Sequence, residues 1–162
     1  MKKHFLIAGL FLSLLLAKPA GAQVNVNINI GAQPVWGPVG YDYVEYYYLP
    51  EWEVYYYVPS RRFVYLDGGN WVFAAGLPPR FGHVDVFTTY KVVVNQPRAY
   101  VYFDDHRVKY AKFRKARGGQ VIIRDSDDPR YYVVKGHPKH VPPGQLKKQD
   151  KGKGKGHGKK KG

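Results

Sequence analysis

The sequence predicts a mainly β domain: a small antiparallel meander with a curved sheet, one short helix and a disordered basic C-terminal tail. A tyrosine-rich phrase occurs twice, YYYLP at 46–50 and YYYVP at 55–59, and two apolar runs flank DGGN at 67–70. Aromatic and β-branched residues favour strands, and paired glycines favour hairpin turns. The last residues alternate Lys with Gly, a composition that buries too little apolar surface to fold.

The N-terminal residues have the pattern of a secretory signal. Lys2 and Lys3 precede an apolar run at 5–17, and Ala20-Gly21-Ala22 supplies a small-x-small cleavage pattern. We therefore expect a signal peptide over 1–22 and a mature protein, beginning at Gln23, that is periplasmic or extracellular. An uncleaved anchor is the alternative, although the run is shorter than the ~20 apolar residues that span a bilayer.

Charge and cysteine content narrow the possible functions. The net charge is +14, of which the signal contributes three and residues 145–162 a net seven, leaving four for residues 23–144. The domain is thus only mildly basic, which argues against a specific nucleic-acid binder. The chain has no cysteine, which excludes thiol catalysis and cysteine-based metal centres.

The predicted organisation continues with an N-terminal strand and a Gly/Pro linker over 23–40. Residues 24–30 alternate β-branched residues with Asn, the pattern of a half-buried strand. This strand either docks on the main sheet, stays flexible, or mediates strand exchange or assembly between molecules. Pro34 and Pro38 make regular pairing unfavourable in the linker.

A β-rich domain is expected over 41–135. Strands are predicted at 44–49, 54–58, 63–66 and 71–75, with Gly68 and Gly69 turning the hairpin between the last two. Further strands are predicted at 84–87, 90–94, 100–103, 120–124 and 131–134. Asp104 and Asp105 begin a basic helix that ends before Gly118, and residues 136–162 are expected to form the disordered Lys/Gly-rich tail.

The segments YYYLPE, YYYVP, RRFVYLDGGNWVF, LPPRF and VIIRDSDDPRYY resemble an uncharacterised group of small exported tyrosine-rich proteins of Gram-negative bacteria. The resemblance covers most of residues 44–132. It implies an exported domain, and it implies no activity, ligand or catalytic residue.

No catalytic residue, metal ligand or cofactor is predicted. The mature chain has only two serines, Ser60 and Ser126, and neither lies in a nucleophile elbow. The alternative is a hydrolase that uses His83 or His106 with a neighbouring Asp. His137-x-x-His140 and the DSDDP segment at 125–129 do not reach the ligand count and spacing of a known zinc or calcium site.

Two surfaces are candidates for binding. The first is an aromatic face of the sheet, comprising Tyr46, Tyr48, Tyr56, Tyr65 and Trp71. Such rings stack on sugars or bases, whereas ordinary cross-strand packing is the alternative. Both faces of the predicted sheet are apolar or aromatic. Either another part of the protein covers the second face, or that face is exposed and rich in tyrosine.

The second surface is the tail, whose lysines would attract polyanions such as anionic envelope polymers or lipid headgroups in a salt-dependent way. They are Lys147, Lys148, Lys151, Lys153, Lys155, Lys159, Lys160 and Lys161. A solubilising tail without a partner is the alternative. The sequence therefore favours a non-enzymatic exported envelope or extracellular protein, a structural or binding module with an aromatic sheet and a polyanion-attracting tail.

Overall fold

A computed structural model describes residues 28–142 and Gln145. Its centre is one five-stranded sheet in which every neighbouring pair is antiparallel. The strands are β1 (Tyr46–Leu49), β2 (Val54–Tyr57), β3 (Arg62–Asp67), β4 (Asn70–Ala74) and β5 (Val92–Val94). Their order is β4-β3-β2-β1-β5, so a four-strand meander is extended by β5 on the far side of β1.

Among residues 28–142, one α-helix, α1 (Phe103–Lys109), follows the sheet, and short 3₁₀ turns make up most of the remaining regular structure. The prediction of a mainly β fold with a single short helix is confirmed. The predicted hairpin is also present, because Asp67 pairs with Asn70 across Gly68 and Gly69. Both glycines have positive φ, 55° and 82°, as a two-residue turn matched to the twist of the strands requires.

The register between β1 and β2 decides which tyrosines share a face. Tyr46 lies opposite Tyr57, and Tyr48 lies opposite Tyr55. Tyr47 lies opposite Tyr56 and projects to the other side, because successive side chains alternate across a strand. The repeated phrase therefore places aromatic rings on both faces of the sheet.

The first face, called the helix face, is covered by the segment from 99 to 113. Its buried residues pack with Ala99, Tyr100, Phe103 and Tyr110. They are Tyr46, Tyr48, Tyr55, Val64 and Val94. The aromatic rings meet in tilted and edge-to-face arrangements, and each such pair contributes about 0.5–1.5 kcal/mol beyond burial of area.

The opposite face, called the loop face, is covered by two segments without strands. Trp36 from the linker lies in edge contact with Tyr56, with ring centroids 4.8 Å apart. Leu77 and Phe81, which follow β4 along the chain, pack against the same cluster. The sheet is thus the middle of three layers, and neither face is left as a contiguous open surface.

The N-terminal part of the described chain is fastened to the sheet by one asparagine side chain. Asn29 Nδ2 donates to the carbonyl of Val44 at 2.6 Å, and its Oδ1 accepts from Val44 N at 2.9 Å. The amide side chain thereby satisfies both backbone groups of Val44. The predicted strand at 24–30 is not present as such where the structure describes it, since Ile30 begins a 3₁₀ turn; residues 24–27 lie outside the described residues.

The Gly/Pro linker pairs with the segment that was predicted as a strand at 120–124. Val39 N donates to Val121 O, and Arg124 N donates to Val35 O. Only an isolated bridge, Pro38 with Ile122, results. Proline lacks the N–H that a continuous ladder needs, and the chain turns into a 3₁₀ helix at Ile123–Asp125.

Several other predicted strands were wrong. Residues 100–103 and 131–134 lie mainly in 3₁₀ helices, Ala99–Tyr102 and Pro129–Val133, and residues 84–87 contain no strand. Short apolar runs do not distinguish strands from tight helical turns. Asp128 in addition caps the later turn by accepting from Arg130 N, and proline at its first position favours such a start.

The described fold continues past the predicted domain boundary at 135. His137 is buried and hydrogen bonds to Ser126 O, and Val141 N donates to Tyr132 O. Residues 136–142 are therefore attached to the domain by hydrogen bonds and by the buried side chain of His137. The remainder of the predicted tail lies outside the described residues, apart from Gln145.

Gly37 approaches the ring of Tyr47 more closely than any larger residue allows. A Cβ at this position would lie 2.5 Å from Tyr47 Oη and 2.9 Å from Cζ. We expect Gly37→Ala to lower the free energy of unfolding by about 1–3 kcal/mol, because the buried tyrosine would have to move within a packed core. Chemical denaturation measures this change.

Gly76→Ala is the matched control, since a Cβ there meets nothing within 4 Å and the residue does not have positive φ. It should be neutral or slightly stabilising. Equal stability of the two variants would contradict the close contact.

Candidate functional site

The five residues proposed as an aromatic binding face do not share a face. Tyr46, Tyr48 and Trp71 lie on the helix face, whereas Tyr56 and Tyr65 lie on the loop face. Four are buried, with 9 % or less of their surface exposed, and Trp71 is half-buried against Tyr55, Tyr100 and Phe103. The predicted face was wrong, because the β1–β2 register places Tyr48 opposite Tyr55 instead of Tyr56.

Two buried tyrosines of the sheet, Tyr47 and Tyr55, are paired through their hydroxyl groups with residues from the covering segments. Tyr47 Oη donates to Gln33 Oε1 at 2.9 Å, and a 2.9 Å hydrogen bond joins Tyr55 Oη to His106 Nδ1. Burial raises the pKa of both tyrosines, which keeps the phenols neutral. These rings are structural, and their polar ends specify which segment covers which face.

The two histidines of the hydrolase alternative lie in different surroundings. His106 is buried among Tyr48, Tyr55, Tyr102 and Tyr110, and burial is the largest cause that lowers its pKa. Its recorded hydrogen-bond partner in the described part is Tyr55 instead of a carboxylate. His83 is exposed. The described contacts therefore lend the hydrolase alternative no support.

The acidic turn at 125–129 and the histidines beyond it are occupied by protein partners. Asp125, Asp127 and Asp128 form ion pairs with Arg124, Lys139 and Arg130. The ring nitrogens of His137 accept from Lys139 N and bond to Ser126 O. Among residues 28–142, no group of three or more acidic or histidine residues is arranged to hold a metal ion.

Lys91 is the one fully buried cation in the described part of the chain. Its Nζ donates to Phe87 O at 3.3 Å, and its backbone pairs with the side-chain amide of Gln120. Burial lowers the pKa of Lys91 to about 8, and the negative charge of Asp85 acts weakly in the opposite direction. A buried ammonium without an ion-pair partner costs stability.

The cations at the end of α1 and in the basic segment that follows it fall into two groups. Arg114 pairs with Glu53 and Arg117 with Glu51, which clamps the segment to the β1–β2 turn. Three exposed lysines at three-residue intervals have no acidic partner among the described residues. We call them the lysine face: Lys109, Lys112 and Lys115.

Two of these lysines lie along neighbouring aromatic rings. Lys109 Nζ is 5.2 Å from the centre of the Tyr110 ring, and Lys112 Nζ is 5.0 Å from that of Phe113. Phe113 itself is stacked on Tyr90, with centroids 4.3 Å apart and planes only 4° from parallel. The rings fix the direction of the segment while the ammonium groups stay in water.

A cleft of about 210 Å³ opens beside the linker. Trp36 and Tyr56 contribute aromatic surface, and the exposed side chains of Arg61 and Lys135 contribute positive charge. Burial raises the pKa of Tyr56, and the nearby guanidinium of Arg61 opposes that rise. Of these four residues only Tyr56 was singled out from the sequence, and as part of a different surface.

The predicted tail lysines, from Lys147 to Lys161, lie outside the described residues. The lysine face was visible in the sequence only as part of a basic helix, since its separation from the paired arginines depends on where Glu51 and Glu53 lie. The cleft was missed because Trp36 belongs to a linker and Arg61 to a turn. The only feature of the sequence that pointed to the cleft was the pair of adjacent arginines, Arg61 and Arg62, between two predicted strands.

No protein-family model, no characterised protein and no solved structure matches this chain. The resemblance to small exported proteins therefore stays a prediction. Among the described residues, none of the helices has the length and apolar character needed to cross a membrane.

The pH dependence of stability should reveal the buried imidazole of His106. Its pKa in the folded protein lies below the ordinary value of 6.5, so the unfolded chain binds the proton more readily. The contribution of neutral His106 is complete above about pH 6.5 and is lost as the pH falls through the folded pKa. We expect His106→Gln to flatten this acid-side loss, as measured by urea unfolding between pH 5 and pH 8.

His83→Gln is the matched control, because His83 is exposed. Its unfolding free energy should follow the pH profile of the unaltered protein. If the unfolding free energies of the two variants changed equally with pH, the buried pair of Tyr55 and His106 would not be a source of acid sensitivity.

Replacing Lys91 by Met should stabilise the protein by about 1–3 kcal/mol at pH 7, because a similar volume is kept and a buried charge is removed. The gain should shrink above pH 8 and vanish near pH 10.5, where the unfolded amine also loses its proton. Thermal and denaturant unfolding measure both effects. Lys115→Met is the control, because Lys115 is exposed, and it should change stability little. If Lys91→Met were less stable than the original protein, the buried charge of Lys91 would not be destabilising.

Proposed function

We propose that this chain is a non-enzymatic exported protein of the envelope or extracellular space that adheres to polyanions. The aromatic sheet acts as a rigid scaffold, and contact is made by the lysine face together with the lysines of the tail. The observation that carries this proposal is the charge pattern of the segment after α1: its arginines are neutralised by acids, and its lysines are exposed and unpaired in the described part.

The spacing of the lysine face supports contact with an extended anionic polymer. Lys109 ends α1, and Lys112 lies in the 3₁₀ turn Ala111–Phe113, where residues three apart overlie one another. All three lysines are exposed, so residues 109–115 present three positive charges to solvent. The surface is fixed, because Arg114 and Arg117 hold the segment to the sheet.

The sequence adds a second, independent source of positive charge. Residues 145–162 carry eight lysines and one aspartate. Charges spread along such a segment bind anions in a salt-dependent way and with little selectivity. The proposal thus assigns local positioning to the lysine face and a larger, less specific attraction to the tail.

Retention of the mature chain on immobilised heparin and on envelope fractions tests this function. Deleting residues 145–162 should lower the salt concentration needed for elution, and replacing the lysine face in addition (Lys109→Gln, Lys112→Gln and Lys115→Gln) should weaken low-salt binding by about tenfold or more. Both effects should disappear at high salt, where exposed charges are screened.

The control carries the same loss of charge at exposed cations outside the lysine face: Arg62→Gln, Arg98→Gln and Lys135→Gln. It should lose less affinity than the lysine-face variant. If deletion of the tail left low-salt retention unchanged, the tail would have no part in adhesion. If the two triple variants bound equally, only net charge would matter and the lysine face would be refuted.

A further inference from the structure

The cleft beside the linker combines an apolar floor with an excess of hydrogen-bond donors. It is lined by Ala32, Gln33, Pro34, Val35, Trp36, Tyr56, Arg61 and Lys135. None of these residues is acidic. Arg61 and Lys135 make no ion pair with any described residue, although eight acidic side chains elsewhere in the described part do pair with cations.

The two aromatic residues of the cleft also have unused polar groups. Neither the indole N–H of Trp36 nor the hydroxyl of Tyr56 has a hydrogen-bond partner among the described residues, and no buried side-chain nitrogen or oxygen there is unsatisfied. These two groups are therefore open to solvent, although each residue is only 9 % exposed overall. Donors that reach solvent at a concave apolar surface suit a ligand rich in acceptors.

Arg61 is held at the cleft by an unusual backbone. Its φ of 55° is left-handed, a region that non-glycine residues occupy at a cost of about 1–3 kcal/mol. Its N–H bonds to Val58 O in the turn between β2 and β3. The fork of an arginine in a fixed turn can hold a carboxylate through two parallel hydrogen bonds.

We propose that this cleft binds a small planar carboxylate, with the carboxylate held between Arg61 and Lys135 and an apolar ring lying against Trp36 and Tyr56. The volume limits the ring to one, since clefts for drug-sized ligands are about 300–1,000 Å³. The charged rim requires an anion, and the apolar floor requires more than a simple ion.

The site is independent of polyanion adhesion. It lies with the loop-face cluster, because Trp36 and Tyr56 belong to that cluster. The lysine face lies on the segment that covers the opposite side of the sheet. Replacing the lysine face should therefore leave benzoate binding intact, and replacing a cleft cation should weaken polyanion retention less than replacing the lysine face does.

Benzoate is the probe for this cleft, with acetate and benzyl alcohol as partial analogues that lack the ring and the charge. Calorimetric titration should give a benzoate dissociation constant on the order of 1 mM or below, in line with the binding energy available to a ligand of so few atoms. Each analogue should bind at least about tenfold more weakly. The indole N–H resonance of Trp36 should shift with benzoate.

Arg61→Gln and Lys135→Gln should each weaken benzoate binding about fivefold to tenfold. Arg62→Gln is the matched control, because Arg62 is the adjacent exposed arginine and does not line the cleft. It should change the affinity by less than about twofold. Unfolding curves check that every variant is folded.

Four results would overturn the proposal. If acetate bound as tightly as benzoate, the ring would be irrelevant. If Arg62→Gln weakened binding as much as Arg61→Gln, only net charge would matter. If the Trp36 resonance stayed fixed while benzoate bound, the ligand would lie elsewhere. The proposal would also be refuted if benzoate showed no binding at a concentration about tenfold above the expected dissociation constant of ~1 mM.

Discussion

The antiparallel pairing of β1 with β2 determines how the rest of the protein must fold. It places Tyr46 and Tyr48 on one side with Tyr55, and Tyr47 on the other with Tyr56. A sheet that is aromatic on both faces cannot leave either face in water without a large exposed apolar patch. Two covering layers are therefore obligatory: the segment containing α1 on one side, and the linker with the residues around Phe81 on the other.

The tyrosine hydroxyls turn this general requirement for cover into a specific arrangement. An apolar sheet accepts any apolar cover, but a buried phenol also needs a hydrogen-bond partner at one position. Gln33 meets Tyr47 from the linker, His106 meets Tyr55 from α1, and Tyr131 accepts from Gly40 N. These hydrogen bonds fix the covering segments on the core, and on the α1 side the ion pairs of Arg114 with Glu53 and Arg117 with Glu51 add to them.

The sequence predicted the structure well where local patterns were sufficient and failed where distant partners decided it. The strands of the meander and the glycine hairpin were predicted from repeated aromatic runs and turn residues. The segments at 100–103 and 131–134 have similar apolar content, yet they lie mainly in 3₁₀ turns: Tyr100 and Phe103 pack on the sheet, and Tyr131 packs in a separate cluster with Ile123 and Val134. Of the functional candidates, the aromatic face depended on a register that a one-residue slip reverses. The cleft combines a linker, a turn and a late segment that no pattern in the sequence connects.

The distribution of acidic residues decides which cations of the fold are left without an ion-pair partner in the described part. Eight acidic side chains in the described part form ion pairs with cations. Some of these pairs join distant segments: Glu51 and Glu53 hold the basic segment, and Asp42 pairs with Arg130. The cations left over are those with no such structural partner. They include the lysine face on one side of the sheet and Arg61 with Lys135 on the other. A chain whose described part has only a small excess of positive charge can therefore present two separate cationic sites, one exposed and suited to a polymer, the other concave and suited to a single small anion.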